Sequence, residues 1–427
     1  MSTSELYQVF LHSAGVNTDT RTIAPGQLFV ALKGETFDGN AFALQALEAG
    51  ACAAVVNQSL EADDPRLIKV PDTLAALQEL AAYHRRQLDI PVIGLTGTNG
   101  KTTTKELIRT VLAARYRVTA TQGNLNNDIG VPLSVLKLGA DTQIGIIEMG
   151  ASHPEDLRPL LAVAQPTHGL ITNVGKAHLL GFGSFEGVKH AKGLLYDYLK
   201  EHEGVAFANG EDPVLQEMLW ERGMPCVAYG LQGVKILPSS PEHPFLRMDF
   251  GDAVLETRLV GAYNAANVLA ALKIAWFFNV PREDALAAIA SYTPSNNRSQ
   301  LLKTERNTLI IDAYNANPSS MAVALDNLFL VEGRKAALLG DMRELGADAA
   351  AEHRKVVERL CNAGGGETVL AFLVGEAFTR AAAGTGIRCF ETSDQLAAYL
   401  QDNPLEGCVV LLKGSHSIHM EKLIASL

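Results

Sequence analysis

Apolar residues fall into two alternating patterns along this chain. Short runs rich in Val, Ile and Leu are separated by Ala- and Leu-rich stretches whose apolar positions recur at helical spacing. Unbroken apolar runs suit strands buried on both faces, and helices between them supply the crossovers that parallel strands require. The pattern predicts an α/β protein. Expected strands are "LFVAL" from Leu28, "AAVV" from Ala53, "VIGLT" from Val92, "IGIIEM" from Ile144, "GLITNV" from Gly169 and "GVAFAN" from Gly204, followed by "TLIIDA" from Thr308, "KAALLG" from Lys335, "VLAFLVG" from Val369 and "CVVLLKG" from Cys408. Helices are expected over "TTTKELIRTVLAARY" from Thr102, after "GNLNNDIG" with Asp128 as its cap, from near Pro281, and from Pro318.

At 427 residues the chain exceeds one ordinary core. Two seams divide it. In "RRQLDIPV", residues 85–92, a charged helix end meets a proline, and "SYTPSNNRSQ", residues 291–300, is a polar turn cluster. Three domains are expected, over residues 1–90, 91–293 and 294–427.

Composition narrows the function classes. The chain is 47% hydrophobic and 19% charged, and its net charge of -11 argues against extended nucleic-acid binding, which needs a basic surface. The start "MSTSELYQVFLHSAG" lacks a basic segment followed by an apolar one, and no apolar run is long enough for a membrane span, so a cytoplasmic protein is expected. Five scattered cysteines, Cys52, Cys226, Cys361, Cys389 and Cys408, fit neither a disulfide framework nor a zinc site, and each is expected as a small buried apolar residue.

The most informative stretch is "LTGTNGKTTTKE", where a strand enters a glycine-rich turn ending in Lys-Thr-Thr. Its logic is phosphate binding: glycines allow successive N–H groups to point inward, Lys101 supplies positive charge, and the Thr102 hydroxyl can ligate Mg²⁺ at a helix N-terminus. Gly97, Thr98, Asn99, Gly100 and Thr103 complete the loop. Leu95 stands where the common spacing has its first glycine.

Other stretches place polar groups at strand ends, where a parallel sheet presents ligand chemistry. Glu148 ends "IGIIEM" and suits either a metal ligand or the partner of a nearby base. His178 lies in a loop and Lys192 on the next helix; from the residues alone, a structural histidine and a helix-surface charge are the readings to beat. Asn124, Asn126 and Asn127 either shape a turn or hold a polar substrate. Asp312, Tyr314, Asn315 and Asn317 in "IIDAYNANPSSM" either form a turn and cap or face a ligand, together with "LLGDMRELG" and "VVLLKGSHSIHMEKL".

These stretches resemble the Mur ligase family, ATP-dependent amide-forming enzymes that build the peptide of bacterial cell-wall precursors. The motifs that carry the resemblance are "DTRTIAPGQLFVALKGETFDG" from Asp19, "TGTNGKTTTKE", "NLNNDIGVPLSVL", "EMGAS", "ITNVGKAHLLGFGS" with "AKG", "NNRSQ", "DAYNANPSSM", "GDMRELG" and "LKGS". Members carry Thr-Gly-x-x-Gly-Lys-Thr/Ser in the loop, which accounts for Leu95. The resemblance implies an N-terminal UDP-sugar-binding α/β domain, a central P-loop ATPase-like domain with a parallel sheet, and a C-terminal Rossmann-like domain. It is most specific for the branch that joins D-alanyl-D-alanine to UDP-N-acetylmuramoyl-tripeptide through an acyl phosphate. A sibling activity adding the third amino acid is the alternative, but its usual Asp-Asn-Pro-Arg stretch is missing here. A P-loop regulatory module or a folate polyglutamate ligase would have no use for the "DTRTIAPGQLFVALKG" segment.

By position, the resemblance implies that Asp19, Thr20 and Arg21 hold the UDP-muramoyl end, with Asn126, Asn127, Tyr314 and Asn315 toward the substrate. Thr102 and Glu148 would hold one Mg²⁺, and His178 with a carbamylated Lys192 would serve a second. Lys101, His178 and Lys192 are the implied catalytic groups. Asn264 and Asn267 would lie toward the adenine of ATP, and Arg298 and Asp312 would reach the nucleotide from the C-terminal side. Tyr263, Leu194 and His416 replace the His, Glu and Arg common at their positions. A monomer is expected.

Overall fold

The ten strands expected from the apolar runs all form, and three mainly parallel sheets collect them. The structure is a computed structural model that describes residues 1–58, 64–240, 243–294, 298–363 and 369–427. Asn296 and Asn297 of the "NNRSQ" motif lie outside the described residues.

The central sheet has six parallel strands in the order Cys226–Tyr229, Val205–Asn209, His168–Ile171, Val92–Thr96, Ile144–Glu148 and Val118–Ala120. Val92–Thr96 is flanked by Ile144–Glu148 on one side and His168–Ile171 on the other, so the strand order turns there and a crevice opens at its carboxyl end. Every residue of Val92–Thr96 and Ile144–Glu148 is buried, which explains their unbroken apolar sequence. A small antiparallel sheet, Lys235–Leu237, Arg247–Asp249 and Val254–Glu256, packs beside it. Its three-residue strands are too short to stand out by alternation alone.

The C-terminal sheet runs Gln300–Lys303, Thr308–Asp312, Cys408–Lys413, Arg334–Gly340, Val369–Val374 and Arg388–Phe390, parallel except for the first strand. The N-terminal sheet has four short parallel strands, Val16–Asn17, Leu28–Val30, Ala53–Val56 and Leu67–Lys69.

The N-terminal and central parts share one apolar cluster. Leu6, Leu77 and Leu80 pack in it with Val131, Leu138 and Leu160. Helix Thr73–Arg86, capped by the Asp72 carboxylate accepting from the Leu74 and Ala75 N–H groups at 2.8 and 3.0 Å, joins the two. Arg85 in the expected seam is 5% exposed, and its guanidinium donates to the carbonyls of Ala164, Leu88 and Ile90. That helix end is therefore locked to the central part.

Three local expectations are corrected. Helix Gly130–Val135 is not capped by Asp128; instead the Asn127 Oδ1 accepts from the Gly130 N–H at 2.9 Å, because the chain turns one residue earlier. Of the five cysteines only Cys408 is buried, and Cys361 is exposed on the solvent side of helix Ala349–Asn362. Lys192 is no surface charge: at 2% exposure it points inward from helix Phe185–Glu201.

Candidate active site

Strand Val92–Thr96 runs into Gly97, and helix Lys101–Leu112 leaves from Gly100. Gly97 has φ +142°, and a Cβ there would stand 2.0 Å from the Thr172 hydroxyl oxygen. Gly100 has φ +78°, and its Cβ would meet the Asn267 side chain at 2.9 Å. Both positions thus require glycine. Asn173 holds the loop: its carbonyl accepts from the Thr98 N–H at 2.9 Å, and its Oδ1 accepts from the Asn99 N–H at 3.0 Å. The Lys101 ammonium reaches back to donate to the Gly97 and Thr98 carbonyls at 2.7 and 3.2 Å. Burial pushes Lys101 below its ordinary pKa, Glu148 opposes that shift, and Arg298 reinforces it.

Glu148 ends the neighbouring strand, paired in register with Leu95. Its Oε1 accepts from the Thr102 hydroxyl at 3.3 Å and from the Asn126 amide at 2.8 Å. Its Oε2 is buried with no hydrogen-bond partner. A buried orphaned carboxylate oxygen costs free energy unless something completes it. The Thr102 hydroxyl and the Glu148 carboxylate are oxygen donors of the kind a hard divalent cation takes.

His178 adopts φ +50° at the start of helix Leu179–Phe182, and its Nδ1 engages the Glu344 carboxylate of the C-terminal part. Burial lowers its pKa; Glu344 works against this, while Lys101 and Lys192 push the same way as burial. Lys192 donates to the Ala151 carbonyl at 3.4 Å, just beyond the end of Glu148's strand, and stands 5.4 Å over the Phe182 ring. Burial, aided by the charge of Lys101, drives its pKa well down. The charge of Lys101 thus acts on both His178 and Lys192 and disfavours their protonation. Among the described residues, no three His, Cys, Asp or Glu side chains group as a metal site, and His178 meets Glu344 rather than Lys192.

A cleft of about 1240 Å³ opens above the loop between the central and C-terminal parts. Thr98 to Thr103, Asn126, Asn127, Glu148, His178, Asn264 and Asn267 line it from one side, and Arg298, Asp312, Tyr314 and Asn315 from the other. The Arg298 guanidinium lies 3.7 Å over the Tyr314 ring. Asp312 pairs with the Lys413 ammonium, which also donates to the Asn315 carbonyl at 3.1 Å. Asn264 and Asn267 are joined by a 2.9 Å hydrogen bond, and Asn267 accepts from Thr104 at 3.0 Å, fixing both amides behind the loop. Lys192 and Gly97 are not cleft-lining residues, nor are Asp19, Thr20 and Arg21. The last three form a turn, half-buried at Asp19 and Thr20, in which exposed Arg21 bonds Asp19 at 2.7 Å and holds its carboxyl down at about 2.

The substituted positions have clear partners. The Tyr263 hydroxyl bonds the Ser299 hydroxyl at 2.7 Å, Leu194 joins the core, and the His416 ring meets Tyr314 edge-on at 5.7 Å. Sequence reasoning overlooked Asn173, Glu344 and Lys105, a fully buried lysine in the loop helix. Glu344 stood in a quoted motif without a role, and the signal for Lys105 was its position one turn beyond Lys101.

Comparisons with known proteins match three stretches of the chain. Residues 95–275 match the family profile described as Mur ligase middle domain, residues 297–416 that of Mur ligase, glutamate ligase domain, and residues 12–85 that of Mur ligase family, catalytic domain. The chain is 34% identical to UDP-N-acetylmuramoyl-tripeptide--D-alanyl-D-alanine ligase of Bacillus subtilis, over 98% of this chain and 94% of that protein. It is 35% identical to the Escherichia coli protein of the same name, over 96% and 93%. Among solved structures, MurF from Acinetobacter baumannii superposes with a TM-score of 0.87 at 29% identity, covering 100% of this chain and 98% of the other. MurF ligase from Thermotoga maritima in complex with ADP gives 0.84 at 26% identity, covering 98% and 97%.

Proposed function

Because this chain belongs to the Mur ligase family, we propose that it joins D-alanyl-D-alanine to UDP-N-acetylmuramoyl-tripeptide at the expense of ATP, completing the UDP-muramoyl-pentapeptide of peptidoglycan synthesis. The observation that carries the ligase chemistry is the shared cleft, in which the phosphate loop faces the C-terminal rim of Arg298, Asp312, Tyr314 and Asn315. The near full-length likeness to the D-alanyl-D-alanine ligases selects the substrate and disfavours the sibling that adds the third amino acid.

In this reading the tripeptide carboxylate attacks the γ-phosphorus of ATP, giving an acyl phosphate and ADP. The amine of D-alanyl-D-alanine then adds to the acyl carbon, and phosphate leaves as the amide forms. Phosphoryl transfer needs alignment and charge neutralisation more than covalent help. The loop N–H groups from Gly100 to Thr103 and the Lys101 ammonium hold the phosphates, Asn173 having taken those of Thr98 and Asn99, while Asn264 and Asn267 sit toward the base. Arg298 and Asp312 approach the nucleotide from the C-terminal side, and closing the cleft around them would keep water from the acyl phosphate. Asn126, Asn127, Tyr314 and Asn315 face the peptide substrate, and Asp19, Thr20 and Arg21 hold the UDP-muramoyl end at a separate place on residues 1–90.

Thr102 and Glu148 are the residues that would hold Mg²⁺, and the Thr102 hydroxyl set 3.3 Å from Glu148 Oε1 at the cleft supports this. When bound, Mg²⁺ neutralises charge on the transferring phosphoryl group. His178 and Lys192 would serve a second ion. Buried Lys192 favours the neutral amine, which can form an N–C bond to CO₂ with loss of one proton, turning a cation into an acidic ligand. A Lys192→Ala variant is expected to lose activity, and wild-type activity to fall on bicarbonate depletion; full activity in both cases removes the carbamate. The division into residues 1–90, 91–293 and 294–427, a monomeric state and a cytoplasmic place belong to the same reading. No helix among the described residues is long and apolar enough to cross a membrane.

The deciding assay supplies ATP, Mg²⁺ and UDP-muramoyl-tripeptide with either D-alanyl-D-alanine or single amino acids, recording phosphate release and product mass. Pentapeptide mass with the dipeptide alone is expected. Turnover with single amino acids on a UDP-muramoyl-dipeptide would transfer the assignment to the sibling.

A further inference from the structure

Lys105 is 0% exposed, one turn beyond Lys101 on the helix that follows the phosphate loop. A lysine this deep needs a reason, since removing an ammonium from water is costly unless it is paired and bonded. Its Nζ donates to the Thr121 carbonyl at 2.6 Å and lies 3.1 Å from Glu106 Oε1. It also lies 4.0 Å from Glu148 Oε2, the carboxylate oxygen that accepts no hydrogen bond. Thr121 closes the arrangement, because its hydroxyl accepts from the Glu148 N–H at 3.0 Å. On the outer side Arg109 bonds the other oxygen of Glu106 at 2.9 Å. Charges therefore alternate from the surface inward: Arg109, Glu106, Lys105, Glu148.

We propose that Lys105 is a positioning residue for Glu148, holding the inner carboxylate oxygen by charge so that the outer one faces Thr102, Asn126 and the cleft. The inference rests on Glu148 being the ligand of a divalent cation and goes beyond it by naming what orients that ligand from behind. Lys101 cannot do this, because its ammonium is turned to the loop carbonyls of Gly97 and Thr98. Two lysines one turn apart thus divide the work: Lys101 faces phosphate and Lys105 faces the metal ligand. Outer partners that orient a metal ligand change metal affinity rather than nucleotide affinity.

The test measures Mn²⁺ binding to the ADP-bound protein by loss of the free-ion paramagnetic resonance signal, beside ADP binding without metal. Lys105→Gln keeps a donor for the Thr121 carbonyl without the charge. Lys105→Gln and Lys105→Met are expected to weaken Mn²⁺ binding about tenfold, with Lys105→Arg recovering most of it and ADP affinity unchanged. A Gln variant that binds Mn²⁺ as tightly as wild type would show that Lys105 merely tethers the strand end. A second readout covers poor folding: the Lys105→Met/Glu148→Gln double variant should melt higher than the sum of the single losses predicts, and simple additivity overturns the pairing. Wild-type protein that binds no Mn²⁺ removes the Glu148 reading and this one with it, whereas failure to make pentapeptide with normal Mn²⁺ binding removes only the substrate assignment.

Discussion

At the scale of single residues, the site is built on buried charges completed by their neighbours. Glu148 shows this best, with one oxygen bonded to Thr102 and Asn126 and the other held only by charge. Glu148→Gln keeps the shape but removes the charge a cation needs. It is expected to lower kcat by roughly two orders of magnitude while leaving metal-free ADP affinity unchanged, as stopped-time phosphate release and ADP titration would show. Retained kcat would move the metal elsewhere. The same residue taught a limit of sequence reading. An acidic strand end suggested either a ligand or a partner of a base, and the structure sets a base, Lys105, 4.0 Å from its inner oxygen.

At the scale of elements, helix Pro318–Leu330 links stability to the site. Its cap, Asn317, accepts from the Ser320 N–H at 2.9 Å, while its amide donates to the Asn99 side chain of the phosphate loop at 2.7 Å. The two roles can be separated. Asn317→Ser keeps a capping oxygen but is too short to reach Asn99, so a raised KM for ATP with near-normal stability is expected. Asn317→Ala should also lose about 1 kcal/mol in urea unfolding. Equal KM values for wild type and both variants would reject the link. Strand His168–Ile171 begins with a histidine that burial among Phe207, Phe277 and Phe278 pushes down to about 4. Its folded pKa lies below its unfolded value near 6.5, so the unfolded chain takes the proton first as pH falls. The contribution is whole above pH 6.5 and is lost toward pH 4, at less than about 1.4 kcal/mol per pH unit because the ring is only partly buried. Urea midpoints across that window should flatten in His168→Phe.

At the scale of the whole molecule, the cores do not divide as the seams do. The N-terminal and central parts share one cluster, tied further by the hydrogen bonds of Arg85 and by the His84 ring bonding the Leu138 carbonyl at 2.8 Å. The C-terminal part keeps clusters largely its own. Calorimetry is therefore expected to show residues 1–293 unfolding together and the C-terminal part separately, the latter shifted upward by ATP analogues acting across the cleft. Three separate transitions would mean that the shared cluster carries little cooperativity.

Much of this was legible in the chain itself. The apolar runs specified the ten principal strands because strands buried on both faces must be apolar throughout, and the Gly97–Thr103 loop announced a phosphate site because few other uses need glycine, lysine and hydroxyl at that spacing. What only the tertiary structure decided is which polar groups meet. Asn317 with Asn99, Glu344 with His178, Tyr263 with Ser299 and Lys105 with Glu148 are separated by tens to hundreds of residues or sit on different elements. Periodicity reports which face of an element is buried. It cannot report what waits on the other side, and for a buried charge such as Lys105 or Lys192 that neighbour decides whether it is a solvated lysine or part of the chemistry.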